Sequence, residues 1–250
     1  MQRDLKKINQ EYEQSEIDPW GSDWRGSLAL WHKFCTEKVI SNLKTNLEHT
    51  QKLKIADIGC GSGILTEKLY KAISNEFNIS QYDAVDVSVA AIEKAKKIFT
   101  HTEVIYSIIS EDLHELENKK FDLIFGFQFL SYLSRIERKN LFLTVKSLLG
   151  PNGIAVFSSN VRSEGDDFAY INSSDLEIDM KQDFILIDKA DLFTAQYVEK
   201  FEGKIFKYSK FYPIRSILSS SYFPTKFHNY YSKHSTDSYP TKRMRMYFLK

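Results

Sequence analysis

The fold is indicated most clearly by residues 53–63, LKIADIGCGSG. Residues 53–58 are mostly apolar, which predicts a short buried strand, and three glycines follow within five positions. A helix is predicted to begin at once, over residues 64–73, with its apolar side chains on one face. A strand that runs through glycines into a helix is typical of doubly wound α/β sheets, whose ligands bind at the carboxyl ends of the strands.

The alternation of strand and helix continues on both sides of this stretch. Amphipathic helices are predicted over 27–47, 89–99 and 135–149, the second with Ser88 as its N-cap. Strands that alternate with helices predict a parallel sheet covered on both faces, so the fold class is α/β, doubly wound, with a Rossmann-like core. The further strands are predicted at 82–87, 103–109, 121–127 and 153–158.

Length and composition exclude several classes of protein. The chain has 250 residues, of which 42% are hydrophobic, enough to fold around a substantial core. Its formal net charge of +1 gives no overall field to hold a nucleic acid. No run approaches the roughly 18 apolar residues of a membrane span, so no membrane partner is expected. The two cysteines, Cys35 and Cys60, and a charged N-terminus without an apolar signal segment favour the cytoplasm.

The organisation along the chain is predicted as one core with additions. The regular alternation ends after the fifth strand, which sets the boundary of the core near residue 160. The four predicted regions are an N-terminal helical arm or cap (1–50), a cofactor-binding core (51–160), an inserted lid or substrate region (161–212), and a C-terminal helix with closing strands of the core sheet (213–250).

The C-terminal half is strongly divided in charge. Residues 161–200 carry ten acidic and four basic residues, whereas residues 201–250 carry ten basic and two acidic ones. The basic piece favours a phosphorylated acceptor, but edge-strand lysines that discourage aggregation explain it equally well. The elements predicted here are a hairpin over 197–208, a short helix opened by Pro213, and strands over 227–232 and 244–249.

Two carboxylates accompany the glycine turn. Asp57 precedes Gly59 by two residues, and Asp86 ends the second strand, where a carboxylate can accept hydrogen bonds from both hydroxyls of a ribose. The glycine spacing is G-x-G-x-G, and Ile64 stands in place of the third glycine of the dinucleotide pattern. The turn therefore favours an adenosine-containing ligand, while an NAD enzyme and a purely structural Rossmann-like protein remain alternatives.

Five motifs in order resemble the class I S-adenosylmethionine-dependent methyltransferases. This resemblance implies S-adenosyl-L-methionine as the cofactor. It also implies a seven-stranded, mostly parallel sheet in the order 3-2-1-4-5-7-6, with the last strand antiparallel. The motifs are ADIGCGSG (56–63), DAVDVS (83–88), SEDL (110–113), FDLIFGFQFLSYL (121–133) and LLGPNGIAVFSS (148–159).

The resemblance implies a set of cofactor-binding residues at the ends of the first four strands. Asp57 would hold the amino group of the methionine part, Asp86 the ribose and Asp112 the adenine amine. Glu111 is interpreted as a solvated neighbour of Asp112, and the Cys60 thiol as inert. The full set is Asp57, Gly59, Cys60, Gly61, Gly63, Asp86, Val87, Asp112, Leu113 and Phe127, with Trp20 from the N-terminal arm.

The acceptor side is less clearly marked. The stretch IDPWG (17–21) resembles small-molecule methyltransferases related to the nodulation N-methyltransferase of chitooligosaccharides. Where that group has SExxYYL, this chain has FQFLSYL (127–133), so Gln128 replaces an acidic residue and cannot act as a base. The candidate catalytic residues are Gln128, Tyr132 and His32, and the candidate substrate-binding residues are Trp24, Gln128 and Arg162; for Tyr132, His32, Trp24 and Arg162, packing or solvation is the competing interpretation.

These observations predict an enzyme that transfers a methyl group to an oxygen or nitrogen atom of a small polar acceptor. A sugar, a nucleotide sugar or a phosphorylated metabolite is expected, with a role in surface polysaccharide biosynthesis. The alternatives are an RNA or protein methyltransferase and a non-catalytic protein that binds the cofactor or its product. Against nucleic acid, the segment after strand four lacks the N/D-P-P-Y/F sequence of base-amino methyltransferases. The oligomeric state, monomer or homodimer, is left open.

Overall fold

The structure is a computed structural model. The residues that it describes are 10, 12–13, 25–48, 52–163, 170–194, 197–202, 204, 212–234 and 242–250.

The described residues form eight strands and seven α-helices. The strands are β1 (Lys52–Ile58), β2 (Asn78–Asp86), β3 (Val104–Ile108), β4 (Phe121–Phe127), β5 (Leu149–Arg162), β6 (Ile171–Asn172), β7 (Leu186–Leu192) and β8 (Arg243–Leu249). The helices are α1 (Gly26–Asn46), α2 (Ile64–Ser74), α3 (Val89–Ile98), α4 (Arg135–Leu148), α5 (Ser173–Met180), α6 (Tyr212–Ser219) and α7 (Tyr222–His234). None of these helices is long and apolar enough to cross a membrane.

The strands form one sheet in the order β3-β2-β1-β4-β5-β8-β7, and β6 pairs with β5 beside this path. The first five strands of this order are parallel to one another, and β8 runs antiparallel to β5 and to β7. The predicted fold class and strand order are confirmed. Reversal of β8 brings its first residues, rather than its last, to the edge where the parallel strands end.

The sheet is buried on both faces because its central strands carry apolar residues at nearly every position. One apolar layer joins the sheet to α1 and α2 through residues such as Leu43 and Leu69. The other joins it to α4 and α5 through Phe142 and Leu176. Ser88 caps α3 as predicted, since its hydroxyl accepts a hydrogen bond from the N–H of Ala91 at 3.1 Å.

Three predictions for the C-terminal half are corrected. Residues 227–232 lie inside helix α7, so the predicted strand there is wrong. The predicted hairpin over 197–208 is also wrong in its described part, because residues 198–202 form a short π-helix. Within the region predicted as a lid, 161–212, β7 is an edge strand of the main sheet. The short helix near Pro213 and the closing strand near residue 244 are confirmed.

Candidate active site

A cavity of about 540 Å³ lies along the carboxyl edge of the sheet. Its wall includes residues just after β2, β3, β4 and β7, and it includes Asn160 near the end of β5. Met244, at the start of the reversed strand β8, completes this row opposite Asn160. The sheet order therefore places the glycine turn, the segment after β4 and the β8–β7 edge along one continuous cavity.

The glycine turn between β1 and α2 has a backbone that only glycine adopts readily. Gly59, Gly61 and Gly63 have φ values of 71°, 55° and 79°. The N–H groups of Gly59 and Cys60 donate to the carbonyl of Val85, at 2.8 and 3.0 Å, which fixes the turn against the end of β2. Gly59, Cys60 and Gly61 line the cavity. A ligand can therefore approach the backbone of the turn closely.

Asp86 holds the turn and faces the cavity. Its carboxylate accepts hydrogen bonds from the N–H of Gly61 at 2.9 Å and from the N–H of Ser88 at 2.8 Å. Burial raises the pKa of Asp86, while the backbone hydrogen bonds from Ser88 and Gly61 lower it in part. Val87, the next residue, also lines the cavity. This arrangement suits a carboxylate that accepts hydrogen bonds from a ligand's hydroxyl groups.

Asp57 is a second buried carboxylate in the wall. It is 3% exposed, and its Oδ2 accepts hydrogen bonds from Thr66 Oγ1 at 2.7 Å and from the Tyr82 hydroxyl at 3.3 Å. Burial raises the pKa of Asp57 to about 6, against the opposing effect of those two hydrogen bonds. A cationic group of a ligand beside Asp57 would favour its ionised form, so the position suits an ammonium group.

The segment after β3 differs from the prediction. Ser110, Glu111 and Leu113 line the cavity, whereas Asp112 lies outside its wall. Asp112 instead accepts hydrogen bonds from the Ser110 hydroxyl at 2.6 Å and from the N–H of His114 at 3.2 Å. These bonds turn its carboxylate to the loop itself. The acidic residue of this segment in the wall is therefore Glu111, which is also exposed to solvent, as predicted.

Gln128 occupies the turn that follows β4. Its φ is 60°, a left-handed conformation that is uncommon for a residue with a side chain. Its backbone N–H donates to the carbonyl of Ser158 at 2.9 Å, and its side-chain Nε2 donates to the Ser158 hydroxyl at 3.2 Å. Both bonds fix the turn to β5. Phe127 and Tyr132, on either side of it, also line the cavity.

The opposite wall is formed by the first turns of α1. His32 lines the cavity, is 2% exposed, and its Nδ1 has no hydrogen-bond partner among the described residues; the same is true of the buried Nε1 of Trp31. Burial lowers the pKa of His32 to about 3, with a smaller contribution from the charge of Lys68. The imidazole is therefore neutral at physiological pH, and these two ring nitrogens, His32 Nδ1 and Trp31 Nε1, are buried in the wall without a hydrogen-bond partner among the described residues.

Several wall residues were not found by sequence reasoning. Arg25 lines the cavity, and the buried carboxylate of Glu202 lies close enough to influence its charge. The others come from the ends of β5 and β7 and from the loop before β6, and no motif in the sequence marks them. They are Asn160, Tyr170, Leu192 and Thr194, with Ser27 and Trp31 from α1.

Most of the predicted site residues meet in this cavity. Gly63 lies outside the wall, packed near Ala95 and the Tyr106 hydroxyl, and Arg162 is also outside it. Trp20 and Trp24 lie outside the described residues. In the described part of the chain, no group of three or more His, Cys, Asp or Glu side chains could hold a metal ion. The predicted residues in the wall are His32, Asp57, Gly59, Cys60, Gly61, Asp86, Val87, Leu113, Phe127, Gln128 and Tyr132.

Comparison with known proteins gives matches to methyltransferases. The family described as "Methyltransferase domain" matches residues 56–155. The ubiquinone biosynthesis O-methyltransferase of Rickettsia typhi is 25% identical over 163 residues, which are 64% of this chain and 62% of that protein. The malonyl-[acyl-carrier protein] O-methyltransferase 2 of Ilyobacter polytropus is 28% identical over 188 residues, 74% of this chain and 66% of that protein. The chain thus spans a little less than two thirds of these relatives.

A solved structure matches over the whole length. The N-methyltransferase NodS from Bradyrhizobium japonicum WM9, solved with S-adenosyl-L-homocysteine, has a TM-score of 0.63 at 13% identity, and the match covers 99% of this chain and 98% of that chain. At this identity the likeness shows the fold alone. In its matched domain, residues 56–155, and in its fold, the chain is similar to the class I S-adenosylmethionine-dependent methyltransferases.

Proposed function

We propose that this protein is a methyltransferase that binds S-adenosyl-L-methionine at the glycine turn and transfers its methyl group to an oxygen or nitrogen atom of a small acceptor. The observation that carries the proposal is the shared cavity. It joins the turn and the carboxylates Asp57 and Asp86 to a second group of side chains from α1 and the segment after β4. A cofactor and an acceptor can therefore meet in it.

Different residues of the chain would bind different parts of the cofactor. Asp57 would hold the amino group of the cofactor and Asp86 its ribose hydroxyls, while the backbone of Gly59 and Gly61 would pass beside the methionine part. The bound cofactor supplies a methyl group on a sulfonium. For transfer, the protein must hold the acceptor atom in line with the bond that breaks and keep water away.

The wall supports a neutral acceptor better than a phosphorylated one. The side chains from α1 and the β5–β7 edge are aromatic, hydroxyl or amide groups, and His32 is neutral. The one cation among these, Arg25, has the carboxylate of Glu202 nearby. The relatives named above are O-methyltransferases of ubiquinone biosynthesis and of malonyl-acyl carrier protein, and they give no support for polysaccharide biosynthesis. We therefore favour an uncharged hydroxyl compound, a phenol in particular, over a nucleotide sugar.

His32 is the proposed partner of the acceptor's hydroxyl group. Its ring lines the cavity and is neutral because it is buried. Nδ1 has no hydrogen-bond partner among the described residues, and a turn of the ring would uncover it for a hydrogen bond to that group. During transfer to a hydroxyl, an O–C bond forms as the S–C bond breaks, and the hydroxyl proton leaves to water, because a pKa of about 3 makes His32 a poor proton acceptor. Gln128 and Tyr132 are proposed to line the acceptor from the other side.

Two measurements test this proposal in sequence. Titration calorimetry with S-adenosyl-L-homocysteine should show binding, and formation of that product from S-adenosyl-L-methionine should accelerate with simple phenols but not with phosphorylated sugars. Binding without turnover on any phenol, amine or carboxylate acceptor would favour the non-catalytic alternative. Absence of binding would contradict the cofactor assignment itself.

A matched pair of variants tests the role of His32. His32→Phe keeps a buried ring but removes both nitrogens, so turnover should fall by about 10²-fold or more while affinity for S-adenosyl-L-homocysteine changes little. His32→Asn retains a polar atom near the position of Nδ1 and should recover part of the lost turnover. Equal activity in the wild type and His32→Phe would remove His32 from the reaction.

A further inference from the structure

Exposed aromatic side chains are concentrated in one part of the molecule. Among the described residues, the large exposed hydrophobic side chains on the helices and strands before residue 200 are all aliphatic and scattered, such as Ile136 and Leu143 on α4. The large exposed aromatic ones fall between residues 201 and 230. These residues, with one isoleucine, define what we call the aromatic patch: Phe201, Ile217, Tyr222, Phe223 and Tyr230, each 51–59% exposed.

Helix α7 carries most of this patch on its outer face. Tyr222, Lys226 and Tyr230 are spaced by four residues, so they follow one side of the helix. The Lys226 ammonium lies 5.6 Å from the centre of the Tyr222 ring, and Tyr230 stacks on His234 at 4.5 Å. Lys233 is exposed on the last turn. Aromatic rings and cations thus alternate on one solvent-facing surface.

The inner face of α7 is already used. Pro224 is buried, and His228 lies 6.2 Å from the ring of Phe193 and 6.1 Å from the ring of Phe34 on α1. The N–H of Phe193 donates to His228 Nδ1 at 3.3 Å, which fixes the helix against the end of β7. These contacts hold α7 against the rest of the protein with its inner face covered. The aromatic patch on the opposite face therefore points to solvent.

The charge of this surface indicates which kind of partner it would bind. Residues 212–234 contain one arginine, two lysines and no aspartate or glutamate, although the whole chain is close to neutral. A second copy of this patch would bring further cations and no acidic groups to pair with them, so charge disfavours self-association through this face. Tyrosine, phenylalanine and lysine on one helix face are the combination that settles into the headgroup region of an anionic membrane, with the rings at the acyl boundary and the ammonium groups at the phosphates.

We propose that the outer face of α6 and α7 docks this protein peripherally on an anionic phospholipid bilayer. The turn between α6 and α7 lies beside one end of the cavity wall. Gly26 packs on the backbone of Ser220 in the α6–α7 turn so closely that a Cβ would lie 2.0 Å from the Ser220 carbonyl oxygen, and its neighbours Arg25 and Ser27 line the cavity. Docking there would bring the acceptor side of the cavity beside the membrane surface. The proposal concerns surface binding only and does not rest on methyl transfer.

Vesicle sedimentation tests the docking without cofactor or acceptor. The full chain should sediment with vesicles of phosphatidylglycerol and phosphatidylcholine in equal parts, should not sediment with phosphatidylcholine alone, and should be released as salt is raised. Phe223→Ser should weaken binding several-fold and Lys226→Glu about tenfold, because each removes a group that faces the bilayer. Both side chains lie at the surface, so the variants should keep the thermal stability of the wild type.

Matched substitutions elsewhere serve as controls. Ile136→Ser on α4 and Lys97→Glu on α3 remove an exposed apolar group and an exposed cation far along the chain from the patch, and should leave vesicle binding unchanged. No sedimentation of the wild type with anionic vesicles, equal binding to neutral vesicles, or equal losses in the control variants would each overturn the proposal. A homodimer in solution that Phe223→Ser converts to a monomer would also overturn it, because the patch would then be an interface between copies.

Discussion

At the scale of single residues, the site depends on carboxylates that the fold holds out of water. Asp57 and Asp86 are 3% and 9% exposed, and burial raises the pKa of both. Such groups are costly to bury unless hydrogen bonds or a ligand's charge compensate. Asp57 has only side-chain hydroxyls to compensate it, whereas Asp86 has backbone N–H groups of the glycine turn. A cationic ligand therefore gains most at Asp57, and a ligand with hydroxyl groups gains most at Asp86.

The contribution of Asp86 can be measured by substitution. Asp86→Ala removes the acceptor of the Gly61 N–H bond and the proposed acceptor of the ribose hydroxyls, so affinity for S-adenosyl-L-homocysteine should fall by about 1–3 kcal/mol. Titration calorimetry gives this value directly. Asp83→Ala is the matched control, because Asp83 lies three residues earlier in β2, pairs with Lys119 at 2.7 Å and is absent from the cavity wall. Unchanged affinity in Asp86→Ala would exclude a ribose contact.

At the scale of elements, close packing at the end of β4 depends on Gly126. A Cβ at Gly126 would lie 2.5 Å from two carbons of the Phe157 ring and 3.0 Å from the Phe129 ring. Phe129 also packs against Gly59 of the glycine turn, where a Cβ would lie 2.9 Å from it. The rings of Phe157 and Phe129 thus pack directly against glycine backbone at the ends of β1 and β4. Their close packing joins the glycine turn to the segment that carries Gln128.

This packing predicts a difference between two glycine substitutions. Gly126→Ala should lower the free energy of unfolding by about 1–3 kcal/mol, because Phe157 and Phe129 must move to admit the methyl group. Gly150→Ala is the control, since its Cβ would meet only the Phe121 carbonyl at 3.4 Å, an ordinary contact. Urea unfolding of both variants provides the comparison. An equal effect of the two substitutions would show that the rings adjust without cost.

At the scale of the whole molecule, the opposite charges of the C-terminal half compensate each other. Arg245 on β8, 3% exposed, donates to Asp191 on β7 at 2.5 and 2.8 Å and to Glu177 on α5 at 2.8 Å. Lys189 also lies 3.4 Å from Glu177. These pairs join the closing strands to one another and to α5. Ion pairs between the acidic segment (161–200) and the basic segment (201–250) therefore stabilise the edge of the sheet. Few of these charged side chains lie in the cavity wall.

The acid stability of the whole chain should depend on His32. Its pKa is about 3 in the folded protein and about 6.5 when unfolded, so the unfolded chain binds the extra proton between these pH values. The contribution of neutral His32 to the free energy of unfolding is fully present above about pH 6.5 and is lost as the pH falls toward 3. Between pH 7.5 and pH 5 this loss amounts to about 2 kcal/mol.

His32→Asn removes that titration. The variant should lose about 2 kcal/mol less than the wild type over the same pH interval, as measured by urea unfolding at each pH. Asp57 acts in the opposite direction, because its raised pKa favours the folded state as the pH falls below 6, but it is present in both proteins and cancels in the difference. Parallel pH profiles for the two proteins would contradict the burial of a neutral His32.

The parallel part of the sheet and the cofactor side of the cavity could be predicted from the sequence alone. Glycines with positive φ, a carboxylate at the end of β2 and strands of apolar residues are local patterns, and residues 53–158 carry them in order. Only the tertiary structure decided that residues 227–232 are helical. Their aromatic residues suit a strand, but packing of His228 against Phe34 of α1 and Phe193 after β7 stabilises a helix instead.

The acceptor side was likewise decided by tertiary structure. His32, Arg25, Asn160 and Thr194 come from separate parts of the chain, and no spacing in the sequence links them. Asp112 lies outside the wall because hydrogen bonds within its own loop turn it away from the cavity, while its exposed neighbour Glu111 lines it. Local propensity and spacing act along the chain, and they fix turns and strands. The wall that meets an acceptor is set by contacts between distant segments, whose energies depend on how the elements pack.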